Sequence, residues 1–164
     1  MKQILSAFAV LLTLTACYNG NQPKAETAAT TDGKAIVENI MTRTSIRQYT
    51  DQTISADTIE ALLRAGMAAP TAVNKQPWHF VAITSKDKMK ELAATNPNAR
   101  MLEQAPLTIV VCGDMQKALE GEGRQLWIQD CSAATENILL AAHGLGLGLV
   151  SVVAGCQCDQ CCKC

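Results

Sequence analysis

The segment Ala69-Pro70-Thr71-Ala72-Val73-Asn74-Lys75-Gln76-Pro77-Trp78 constrains this chain more than any other. A proline biases the residue before it away from helix, so Ala69 and Gln76 are expected to be extended or turned. The helical pattern Ile59, Leu62, Leu63, Met67 must therefore stop at Pro70. The β-forming run from Trp78 to Thr84 then reads as a strand. A stiff loop joins the two, so the fold has to combine helices with a sheet.

The flanking sequence extends that picture. Ala35 to Met41 has apolar residues at helical spacing and predicts a first helix ending near Arg43. Ser55 is placed to cap the second helix, and Ser85 a charged amphipathic one through Met89 and Leu92. Pro106 to Cys112 is an apolar run that reads as a buried strand. A long helix is expected from about Gly123 to His143, with Trp127, Cys131, Ala134, Ile138 and Ala142 on one stripe. Gly144, Gly146 and Gly148 end it, and Leu147 to Val153 reads as the start of another strand. There is no internal repeat and no strict βαβ rhythm, which favours an α+β layer fold, a mixed sheet flanked by helices. The length of 164 residues suits one domain. With 48% hydrophobic residues but 4% aromatics, aliphatic residues, Ala and Met must do most of the packing. The formal net charge of −1 gives no electrostatic reason to expect nucleic acid as a partner.

The first residues read as an address. Lys2 is followed by the apolar stretch Ile4–Leu14, which is too short to cross a bilayer as a helix. Leu14-Thr15-Ala16-Cys17 resembles a bacterial lipobox, in which the cysteine thiol is lipidated and becomes the mature N-terminus. An ordinary secretory signal is the weaker alternative. The expected organisation is a signal peptide over 1–16, a lipidated tether over 17–34, a folded domain over 35–153 and a cysteine-rich tail over 154–164. The expected location is the cell envelope, anchored to a membrane by lipid on Cys17 and facing the periplasm or exterior.

Three constellations carry chemistry. In Arg43-Thr44-Ser45-Ile46-Arg47 an extended backbone would point residues 43, 45 and 47 the same way. Two guanidinium groups and a hydroxyl on one face suit a phosphate, although the pentapeptide alone fits a solvated basic turn better, since two arginines near a helix end are common. In the proline-bracketed loop, Asn74 and Gln76 offer amides that both donate and accept, suited to a ring edge carrying carbonyls and an N–H. A loop that merely satisfies its own backbone is an equal alternative. In the long helix, Trp127, Asp130, Asn137 and the glycine-rich end fit a core or dimer-interface helix, and His143 fits a C-terminal cap. The glycine run follows a helix rather than preceding one, so it is a weak phosphate signal.

Together these segments resemble the nitroreductase family in order and spacing. They are Arg43-x-Ser45-x-Arg47, then Ala69-Pro70-Thr71-x-x-Asn74-x-Gln76-Pro77-Trp78-x-Phe80, then the helix ending Asn-Ile-Leu-Leu-Ala-Ala-His-Gly-Leu-Gly-Leu-Gly. The resemblance runs from about residue 36 to 150. It implies an FMN-dependent oxidoreductase that is a homodimer with FMN at the subunit interface. It implies that Arg43, Ser45 and Arg47 hold the phosphate and ribityl chain, and that Pro70, Thr71, Asn74 and Gln76 approach the isoalloxazine. NAD(P)H is the implied donor and a nitroaromatic or quinone the implied acceptor, although NAD(P)H is scarce outside the cytoplasm. No catalytic side chain and no metal is implied, because the flavin does the chemistry.

The end of the chain departs from the family. Five cysteines, Cys156, Cys158, Cys161, Cys162 and Cys164, crowd the last nine residues. This tail is read as an aberrant junction, with the family's later sheet, interface arm and basic residue missing. The expected consequences are weak FMN binding and little turnover. A thiol-rich, metal-binding lipoprotein without enzymatic activity is the alternative.

Overall fold

The structure, a computed structural model, describes residues 29–152. The expected signal peptide, Cys17 and the cysteine-rich tail lie outside the described residues. Four helices, α1 (Ala29–Thr42), α2 (Ala56–Met67), α3 (Lys86–Thr95) and α4 (Trp127–Gly144), are joined with two strands, β1 (Trp78–Ile83) and β2 (Thr108–Gly113). Short 3-10 turns cover Ala72–Asn74, Pro97–Glu103 and Gly121–Leu126.

Local chemistry explains most boundaries. The Ser55 side chain accepts the Thr58 N–H at 3.2 Å, which starts α2. The Arg64 guanidinium reaches Glu60 one turn back at 2.7 Å. Ser85 stands at the N-cap of α3 without a side-chain capping bond. The glycine-rich end of α4 is a Schellman motif. The Leu147 N–H bonds Ala142 O at 2.8 Å, the Gly146 N–H bonds His143 O at 2.9 Å, and Gly146 takes φ +74°.

Three boundaries differ from expectation. Helix α1 begins at Ala29, so the last part of the stretch read as a tether is helical. Its opening Thr-Thr-Asp-Gly has poor intrinsic helix propensity and no apolar period, which is why the pattern does not reveal it. The long helix starts at Trp127, after a tighter turn over Gly121–Leu126. The strand expected over Leu147–Val153 amounts, among the described residues, to a single parallel bridge between Leu149 and Ser45.

Strands β1 and β2 pair antiparallel with Trp78 opposite Gly113 and Ile83 opposite Thr108. The parallel bridge adds the mixed character that the sequence suggests. Leu62, Ile138 and Ala142 form the centre of the core, with Phe80, Leu107, Ile109, Val111, Leu147 and Leu149 packed against it. Helix α2 lies on α4, and Gly66 permits the close approach: a Cβ there would meet Ile138 Cδ1 at 2.9 Å and Phe80 Cε1 at 3.1 Å. The expected stripe of α4 is buried from Cys131 through Ala134 and Ile138 to Ala142, while Trp127 is half-buried.

Helix α1 is different. Ile36, Val37, Ile40 and Met41 are exposed, Met41 by 78%. Such a contiguous apolar face marks a surface for further contact. No helix among the described residues is long and apolar enough to cross a membrane.

Candidate functional site

Helix α4 is the frame on which the candidate residues are mounted. Its C-terminal end holds the arginine-containing strip. Asn39 of α1 donates its amide to Leu140 O at 2.9 Å. The Thr42 hydroxyl lies 3.0 Å from His143 Nε2 and also donates to Glu38 O at 2.7 Å. A hydroxyl has one proton to give, so His143 Nε2 is the donor in the first bond. His143 therefore ties α1 to α4 rather than capping carbonyls, and the Schellman turn supplies the cap. The Ile46 N–H then bonds Leu149 O at 3.0 Å and fixes the strip's direction.

A cleft of about 280 Å³ opens here, between Arg43, Thr44 and Ile46 on one side and His143 and the Gly146–Gly148 turn on the other. Gly148 is needed for this approach, because a Cβ would stand 2.9 Å from Ile46 Cβ. Arg43 is loosely held, with Nε 3.9 Å from a half-exposed Glu136 carboxylate. An exposed pair at that distance contributes little, so the guanidinium remains available to an anion. Of the three residues expected to share a face, only Arg43 lines the cleft. Ser45 makes the bridge to Leu149. Arg47 is exposed and acts on Tyr49. Burial pushes the Tyr49 hydroxyl above its ordinary pKa, the Arg47 charge partly opposes this, and the hydroxyl donates to Ile46 O at 2.8 Å.

The proline-bracketed loop is mounted near the other end of α4. Asp130, in the first turn of that helix, accepts the Ala72 N–H at 2.9 Å. The Thr71 hydroxyl accepts the Gln76 N–H at 3.1 Å, and the Asn74 N–H bonds Thr71 O at 3.1 Å. Val73, Asn74 and Gln76 have φ of +50°, +56° and +50°. Left-handed backbone costs a non-glycine residue about 1–2 kcal/mol, and a β-branched one such as Val73 is an outlier. Pro70, Asn74 and Gln76 are exposed, Thr71 half-buried and Pro77 buried. The backbone is thus fixed from inside while the two amide side chains face outward. Asn137, by contrast, donates to Ala65 O at 3.1 Å and joins α4 to α2.

Asp130 and His143 are thirteen residues apart on one helix, roughly 20 Å along its axis. The strip and the loop are therefore displaced along α4 within one subunit rather than gathered in one pocket. A separate hollow of about 360 Å³, lined by residues including Asp51, Thr84 and Lys86, holds none of the candidate residues. Among the described residues no group of histidine, cysteine and acidic side chains could hold a metal. Two residues have roles that the sequence does not signal, Asp130 as the support of the loop and His143 as a wall of the cleft. Both contacts join segments distant in the chain, and no local pattern signals them.

Comparison with known proteins identifies the family of the chain. A sequence model of the nitroreductase family matches residues 40–96 and 91–155. The chain belongs to the nitroreductase family, and its α+β fold is that of the family. An NADH dehydrogenase/NAD(P)H nitroreductase, so named, of Archaeoglobus fulgidus is 48% identical over 111 residues, covering 68% of this chain and 63% of that protein. The solved structure of a protein of the same name from Bacteroides thetaiotaomicron is 42% identical with a TM-score of 0.64, over 70% of this chain and 64% of that one. A nitroreductase from Desulfovibrio desulfuricans, solved in complex with FMN, is 35% identical with a TM-score of 0.62, over 69% and 64%. The chain spans 63% of the length of the curated relatives that are 40% and 48% identical to it.

Proposed function

We propose that this chain is an FMN-dependent oxidoreductase that takes electrons from NAD(P)H and reduces nitroaromatic or quinone-like acceptors. The observation that carries the reading is the loop Thr71–Gln76, braced from beneath in a strained backbone while Asn74 and Gln76 stand exposed. Outward amides on a rigid support fit the polar edge of an isoalloxazine, with Pro70 and Thr71 beside it. At the other end of α4, Arg43 at the cleft, with Ser45 and Arg47 on the same strip, suits the phosphate and ribityl chain. These residues fit FMN. Bound FMN supplies the redox chemistry and leaves binding, orientation and electrostatics to the protein.

The displacement of strip and loop along α4 supports a homodimer in which each flavin draws on both subunits. The exposed apolar face of α1 is a surface that such a dimer would cover. Cys17 as a lipid attachment point, with a location in the cell envelope, completes the proposal and rests on the sequence alone.

Titration of the chain with FMN, followed by quenching of flavin fluorescence, tests the site. Replacing Arg43 and Arg47 together with Ala removes two charge-assisted partners and should weaken binding at least about 100-fold. Unchanged affinity would remove the arginines from the site. Anchoring is tested by lipid labelling of the precursor in bacteria. Cys17→Ser should abolish the label, and a labelled Ser variant contradicts the assignment.

A further inference from the structure

We propose that Asp130 is a positioning residue that sets where the flavin-ring amides stand, an inference that rests on the flavin reading above. Among the described residues Asp130 is the one charged side chain that is buried, at 6% exposure. Its partner is the backbone N–H of Ala72, 58 positions away in the chain. Both ends of this bond are enforced. A buried carboxylate without a donor is costly, so the side chain holds its partner firmly.

The loop needs such an anchor. Val73, Asn74 and Gln76 all hold left-handed backbone, and a strained conformation persists only where its surroundings over-determine it. The internal bonds, from Gln76 N–H to Thr71 Oγ1 and from Lys75 N–H to Ala72 O, make the loop one unit. The bond to Asp130 fastens that unit to α4. Asn74 and Gln76 follow the backbone that carries them, so the carboxylate beneath Ala72 governs their placement without touching the ring. Aspartate is suited to this task because its acceptor is short and rigidly mounted on the helix.

The prediction separates the anchor from general stability. Asp130→Ala removes the acceptor, whereas Asp130→Asn keeps an oxygen at the same reach. Hydrogen exchange at the Ala72 amide should accelerate at least about tenfold in the Ala variant and remain near wild type in the Asn variant. FMN affinity should fall about tenfold in the Ala variant, and the absorption band of the bound flavin should shift, with both recovered in the Asn variant. Should the Ala variant fail to fold, Asp130→Glu moves the carboxylate by one methylene, keeps the charge and should also free the Ala72 amide. Unchanged Ala72 exchange in the Ala or Glu variant overturns the proposal. So does faster exchange with wild-type FMN affinity and an unshifted flavin band. A wild-type chain that binds no FMN overturns the flavin reading and with it the loop's service to a flavin, while the exchange data still report whether Asp130 holds the loop.

Discussion

Gly113 closes β2 under the indole of Trp127, and replacing it with Ala puts this contact to the test. A Cβ at 113 would collide with Trp127 Cε3 and stand 2.9 Å from both Cδ2 and Cζ3. These are atoms of a rigid ring at the first residue of α4, so no flexible tip can move aside. Inserting one methyl into such a site costs about 1–3 kcal/mol. Alanine regains about 0.5–1 kcal/mol of backbone entropy relative to Gly. The net loss expected for Gly113→Ala is therefore about 0.5–2 kcal/mol. The cause is isolated by a double-mutant cycle with Trp127→Leu, which removes the ring. In that background Gly113→Ala should be neutral or slightly stabilising. Urea unfolding followed by circular dichroism is the suitable assay, since Trp fluorescence changes when Trp127 is replaced. An equal loss in both backgrounds refutes the steric argument.

Two further outcomes follow from strain and burial. Val73, 79% exposed at φ +50°, carries a β-branched side chain where the backbone favours glycine, so Val73→Gly should raise stability by about 1 kcal/mol in the same urea assay. Tyr49 has a raised hydroxyl pKa, so its neutral form is favoured in the folded state. Its contribution is complete below the unfolded pKa near 10 and is lost as pH rises through the higher folded value. Tyr49→Phe should flatten the alkaline decline of the melting temperature, and an identical decline in both proteins would contradict this.

How much of this was legible in the sequence depends on the range of the interaction. Helix α2 was readable because Ser55, the apolar spacing and Pro70 act within a few residues. The stripe of α4 and its glycine end were readable for the same reason. The left-handed backbone of Val73 was not, because a β-branched residue argues against it and the bonds that flank it, from Thr71, Lys75 and Asp130, leave no pattern at position 73 itself. The strip after α1 was readable as a basic segment from its residue types, but its backbone bridge from Ser45 to Leu149 joins positions too far apart to leave a local pattern, and so does the cleft that Arg43 lines with Thr44 and Ile46. Asp130 was visible as a helix residue, but its bond to Ala72 spans 58 positions and leaves no periodic trace.

The union of the strip after α1 with the turn after α4 also bears on how the protein is made. Ser45 and Leu149, which form the parallel bridge, are separated by 149 − 45 = 104 positions. The contacts of Asn39 with Leu140 and of Thr42 with His143 each span 101. Closing so long a loop carries an entropic cost that must be met before the contacts form. On a ribosome adding about 5–20 residues per second, the arginine strip emerges roughly 5–20 s before its partners exist. Throughout that interval Ile36, Val37, Ile40 and Met41 lack even the polar ties that seat their helix. The apolar face of α1 is thus made well before the segments that seat its helix, and it stays open to other contacts for as long as that gap lasts.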